Sequence, residues 1–111
     1  MNLYFVIWES GEVSMNIYDY ITPQDNETFT TLLEHKNIKI NHIVSAENIE
    51  QIEYIQEEDE WLIVIEGKAT LSLKNKVQTL NKGDTLFIPA KTPHRVLETQ
   101  KGTVWLTVHI F

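Results

Sequence analysis

The chain has 111 residues, 42% of them hydrophobic and 10% aromatic, which is the size and make-up of one ordinary domain and too short for two. Sixteen acids against nine bases leave a formal charge of -7, which argues against nucleic acid and anionic lipid as partners. The absence of cysteine removes disulfides, thiolate metal sites and cysteine nucleophiles, and a cytoplasmic location is the expectation.

Met1 to Trp8 are apolar but carry no basic flank, meet Glu9 at once and are too few to span a bilayer, so a signal peptide is not expected. The codons for Gly11-Glu12-Val13 can spell a purine-rich ribosome-binding site ahead of Met15. Two readings of residues 1–15 therefore stand side by side: an N-terminal extension not translated natively, or an extra edge strand over Leu3 to Trp8. Residues 16–111 form the single domain.

Between Pro23 and Asn37, a cap at Asp25 or Asn26 and the spacing of Phe29, Leu32 and Leu33 predict a short helix. From Ile38 onward the pattern changes to short β-branched and aromatic segments separated by turn residues. Ile38, Ile40 and His42 alternate with polar neighbours, and Trp61 to Ile65 is a continuous apolar run ended by Glu66-Gly67. Ala69, Leu71 and Leu73 alternate up to a hairpin turn at Lys74-Asn75, followed by Val77 to Leu80 and a turn at Asn81-Lys82-Gly83-Asp84. Thr85 to Ile88, Arg95 to Glu98 and Thr103 to Ile110 complete the set. About seven short strands at close spacing predict a mainly β sandwich or closed barrel.

One constellation carries chemistry. Glu60 stands at the mouth of a strand, with Gln56 four residues before it, Tyr54 two before that, and the turn glycine Gly67 beyond. Gly83-Asp84 opens a strand closed by Pro89, and five residues later comes His94, which by alternation shares a face with Val96 and Glu98. This pair of motifs resembles the two signatures of the cupin superfamily of small jelly-roll barrels. The segments Tyr54 to Trp61, Ile88 to Val96 and Val104 to His109 resemble an uncharacterised bacterial single-domain subgroup that opens with a helix like Glu27 to His35, and the likeness runs from about Ile17 to the C-terminus.

The resemblance implies a site inside the barrel. Its first motif usually presents two histidines where Tyr54 and Gln56 stand here, so a divalent ion (zinc, iron, manganese or nickel) on Gln56, Glu60 and His94 would be held loosely. His109 could add an imidazole if its strand face points inward. Glu60 and His94 are the groups available for proton transfer, and Tyr54, Gln56, Arg95, Glu98 and His109 for ligand binding. The bland alternative gives Glu60 an internal hydrogen-bond network with Tyr54 and Gln56. Glu57, Glu58 and Asp59 read as a solvated acidic loop, His42 as an ordinary strand residue and His35 as a helix C-terminal charge. Trp61 and Trp105 read as core or dimer packing. Lys91 and Arg95 flank His94 and could attract a small anion. Ser14, Ser45 and Ser72 have no nucleophile elbow around them, and no phosphate-binding glycine loop is present.

The functional expectation is a small-molecule site, enzymatic or not, in a homodimer whose partner covers apolar outer strands. A metabolite-binding or sensor module without metal is the alternative, and an assembly subunit acting through its outer surface is a third.

Overall fold

The computed structural model describes residues 15–111. The edge strand considered for Leu3 to Trp8, and the segment ahead of Met15, lie outside these residues. Eight strands follow in chain order: β1 Glu27–His35, β2 Ile38–Ser45, β3 Asp59–Glu66, β4 Lys68–Leu73, β5 Lys76–Asn81, β6 Thr85–Ile88, β7 His94–Thr99 and β8 Thr103–Ile110. They form two antiparallel sheets, ordered β1-β2-β8-β3-β6 and β5-β4-β7. Leu62, Val64, Ala69, Leu71, Leu80, Ile88 and Trp105 fill the space between them. Trp105 is thus core, whereas Trp61 lies on the outer face with 38% of its surface exposed.

The predicted helix is a strand. Residues 27–35 pair with β2 from Glu27↔Ser45 to His35↔Ile38, with a register shift between Thr31 and Leu33. The extra residue, Leu32, sets two apolar side chains in succession and breaks the period of two. Phe29, Leu32 and Leu33 thereby acquire the i, i+3, i+4 spacing of a helix face without being one. Thr28, Thr30 and Thr31 favour the extended chain, and nine residues are too few for a helix to hold itself. Among the described residues there is no α-helix, so His35 ends a strand rather than a helix.

The expected hairpin at Lys74-Asn75 forms, with positive φ of 51° and 64° at its two central residues. His42 does more than an ordinary strand residue: it is 2% exposed, its Nε2 lies 2.8 Å from the Ile17 carbonyl, and its ring packs 5.9 Å from that of Tyr20. These contacts hold the chain ahead of β1 against the outer face of the larger sheet, leaving the inner face to the cavity.

Candidate functional site

Register decides which side chains meet between the sheets. On β3 and β8, Glu60 stands opposite His109 and Leu62 opposite Thr107, and Glu60, Leu62, Thr107 and His109 all point inward. That settles the face of His109. On β7 the outcome differs from simple alternation. Thr70↔Glu98 and Leu71↔Val96 are both paired, so Leu97 is an extra residue in β7. The bulge exchanges the two faces beyond it: His94 and Val96 line the cavity, whereas Glu98 is exposed on the far side of the sheet and Thr99 turns inward in its place.

The cavity between the sheets measures about 130 Å³. Tyr54, Gln56, Glu60, His94, Arg95 and His109 all reach it, so the structure brings together every expected side chain except Glu98. Tyr54 is tied to β7 through a two-way backbone bridge with His94, at 2.8 and 3.0 Å, and the two rings stack at 5.9 Å. The carbonyl of Gln56 accepts from the Lys91 backbone at 2.6 Å, and its side-chain Nε2 donates to Glu60 Oε1 at 3.0 Å.

Two imidazoles are oriented by their hydrogen bonds. His94 Nδ1 lies 2.9 Å from the Thr92 carbonyl, which can only accept, so Nδ1 carries the hydrogen and Nε2 of the neutral ring is the bare nitrogen. His109 Nδ1 faces Glu58 Oε2 at 2.8 Å and Glu60 Oε1 at 3.9 Å, while its Nε2 accepts from the Thr107 hydroxyl at 3.3 Å. Against expectation Glu58 is only 15% exposed in its side chain, whereas Glu57, at 84%, is solvated as expected. Lys91 and Arg95 each face an acid, Glu57 at 3.8 Å and Glu53 at 4.0 Å.

A second wall escaped the sequence reading because it comes from β1. Glu27 and Phe29 line the cavity together with Tyr54. Trp105 Nε1 donates to Ser45 Oγ at 2.9 Å, and Ser45 Oγ donates in turn to Glu27 Oε2 at 2.5 Å. Burial pushes the Glu27 carboxyl above its ordinary value, against the Ser45 hydrogen bond, which pulls it down. Burial pushes the Tyr54 phenol up as well, helped by the charges of Glu27 and Glu50. The signal that could have found Glu27 is its register position opposite Ser45, which a helix reading hides.

The expected metal donors Gln56, Glu60 and His94 all line the cavity, but their hydrogen bonds are made within the protein. Gln56 turns its amide N–H, not its carbonyl, toward Glu60, and His109 turns its Nδ1 to Glu58. Among the described residues no three His, Cys, Asp or Glu side chains are grouped to hold a metal ion.

A family model of the cupin domain matches residues 46–109. A crystal structure from Ralstonia eutropha JMP134, of a proposed mannose-6-phosphate isomerase, is 32% identical, with a TM-score of 0.80 over 88% of this chain and 97% of that one. The structure of KdgF from Halomonas sp. shares the fold at 13% identity, with a TM-score of 0.72 over 77% of this chain and 78% of its own. An uncharacterised protein of Methanocaldococcus jannaschii is 40% identical over 38 residues, which are 34% of this chain and 30% of that relative's length.

Proposed function

The chain belongs to the cupin family, and on that footing we propose that the space between its sheets binds a small organic molecule without a resident metal ion. The observation that carries this reading is the bare Nε2 of His94, fixed by the Thr92 carbonyl and facing a cavity that also receives Glu60 and Glu27. Apolar side chains line the rest, including Leu62, Leu71 and Ile88, so a ligand would be gripped by shape and aligned by a few polar atoms. If the ligand is turned over, His94 Nε2 is the atom that takes a proton from it, and Glu60 is the neighbouring carboxyl able to hold one. If it is only held, the chain is a metabolite-binding or sensor module.

The sugar phosphate named for the Ralstonia protein is a poor match here. The cations nearest the mouth, Lys91 and Arg95, already face Glu57 and Glu53, and the interior offers carboxylates. A homodimer in the cytoplasm completes the proposal. Its support is the outer row Phe87, Trp61, Val108, Ile40 and Leu33, five apolar residues aligned across all five strands of the larger sheet. Trp61→Glu should then convert the dimer to a monomer by light scattering; an unchanged mass removes this face from the interface.

The functional test is a thermal-shift screen of small polar and charged metabolites, with zinc, iron, manganese and nickel salts as separate wells, on the native chain and His94→Ala. At least one organic compound should stabilise the native chain and lose its effect in the variant. Stabilisation by a metal salt alone, lost in His94→Ala, would replace the proposal with a metal site.

A further inference from the structure

We propose that, given a small-molecule site in this cavity, its ligand is a small organic cation: a primary ammonium on a short apolar stem. The reason lies in which hydrogen-bonding atoms the protein has already used. Trp105 N–H goes to Ser45, Ser45 O–H to Glu27, Gln56 N–H to Glu60, His94 Nδ1–H to Thr92, His109 Nδ1–H to Glu58, and Thr107 O–H to His109. Most donors along the wall are engaged within the protein; the Tyr54 hydroxyl and the Arg95 guanidinium are the lining donors without a hydrogen bond among the described residues. The acceptors left without a partner among the described residues include Glu27 Oε1, Glu60 Oε2 and His94 Nε2. Glu60 is only 7% exposed, yet no buried polar side-chain atom among the described residues is left unsatisfied and enclosed, so its second oxygen opens to the cavity.

A ligand for such a wall must bring donors. An ammonium brings three N–H groups and the positive charge that two inward carboxylates lack. An anion would meet lone pairs and like charge. The bases that face the acids do not supply the missing charge. Lys91 is not among the lining residues and faces Glu57, Arg95 lines the cavity but is paired with Glu53 at 4.0 Å, and His109 directs its Nδ1 hydrogen to Glu58, with Glu60 farther away. The rings of Phe29, Tyr54 and Trp105 add π faces to the same cavity, which favour a cation over a neutral group of equal size. A cavity of about 150 Å³ accepts benzene, so 130 Å³ admits roughly six non-hydrogen atoms.

Three probes of matched length separate the possibilities: n-butylammonium, 1-butanol and butyrate, titrated into the full chain at neutral pH and followed by methyl and amide NMR. Butylammonium should shift the methyls of Ile43, Leu71 and Val96 and bind at least tenfold more tightly than butyrate. Glu60→Gln and Glu27→Gln should each weaken it about tenfold, the factor for one charge-assisted hydrogen bond, and leave butanol unchanged. The spectrum of each variant shows whether it is folded. Butyrate or butanol binding at the same methyls as tightly as butylammonium would overturn the cationic class while sparing the cavity as a site. No shift at these methyls with any of the three would overturn both.

Discussion

Gly67 joins β3 of one sheet to β4 of the other, and its replacement by alanine should be among the most damaging single-methyl changes in the chain. Its φ is +86°, and a Cβ built there would lie 2.5 Å from Thr103 Oγ1 and 2.8 Å from the Thr103 Cα. The near neighbour is backbone, and Thr103 cannot step aside: it is 0% exposed, and its hydroxyl bonds the carbonyls of Lys68 and Gln100 at 3.1 and 2.6 Å. A left-handed residue bearing a side chain costs about 1–2 kcal/mol, and overpacking adds about 1–3 kcal/mol. Gly83 supplies the control. Its φ is +88°, nearly the same, but nothing lies within 4 Å of its added Cβ. Gly83→Ala should therefore cost only the conformational part, about 1–2 kcal/mol, and Gly67→Ala about 2–5 kcal/mol. Urea unfolding of both variants and the native chain, with m compared to confirm that the denatured state is unchanged, measures the difference. Equal costs at the two glycines would refute the steric reasoning and leave φ alone as the cause.

Ser45→Ala should destabilise by about 1–3 kcal/mol in denaturant, because Trp105 Nε1 loses its acceptor inside the core; a loss under 0.5 kcal/mol would mean that another group takes over. A double-mutant cycle on Glu58→Ala and His109→Ala should give a coupling of about 1 kcal/mol or more, since both side chains are largely buried and 2.8 Å apart; strict additivity would assign Glu58 to solvent after all. For Glu27 the sign follows from its raised carboxyl. The folded state holds that proton more tightly than the unfolded one, so ionisation costs stability, starting near the ordinary value of 4.5 and complete above the folded value. The native chain should therefore lose stability relative to Glu27→Gln as pH rises through this window; a difference that runs the other way would show that Glu27 is stabilised as an anion.

Most of β2 to β8 was legible, β2 and β4 through alternation and β3 through its continuous apolar run, and the hairpin at Lys74-Asn75 follows from its residues alone. Two of the failures share one physical cause, an inserted residue. The bulge at Leu32 gave β1 a helical signature and hid Glu27 and Phe29 as a cavity wall. The bulge at Leu97 sent Glu98 to the outer face. A bulge is set by how two strands pair, and one strand's own sequence carries little trace of it. The motif residues Tyr54, Gln56, Glu60, Arg95 and His94 were found through a family likeness, and the structure gathers them around one cavity. Glu58 was misjudged because the two residues beside it differ in role: Glu57 is solvated, and the Asp59 carboxylate accepts from the Ala90 backbone at 2.8 Å. Three consecutive acids give no sign of which one turns toward a histidine 51 residues away.

A metal-free site aligned by His94 would show itself in the imidazole nitrogen-15 spectrum of the full chain before and after adding n-butylammonium. His94 and His109 should both show hydrogen on Nδ1 in the neutral ring, and the His94 Nε2 resonance should move on titration while the spectrum stays the same in the presence of a chelator. A His94 ring with hydrogen on Nε2, or an Nε2 signal that changes only when a chelator strips an ion from it, would contradict the account.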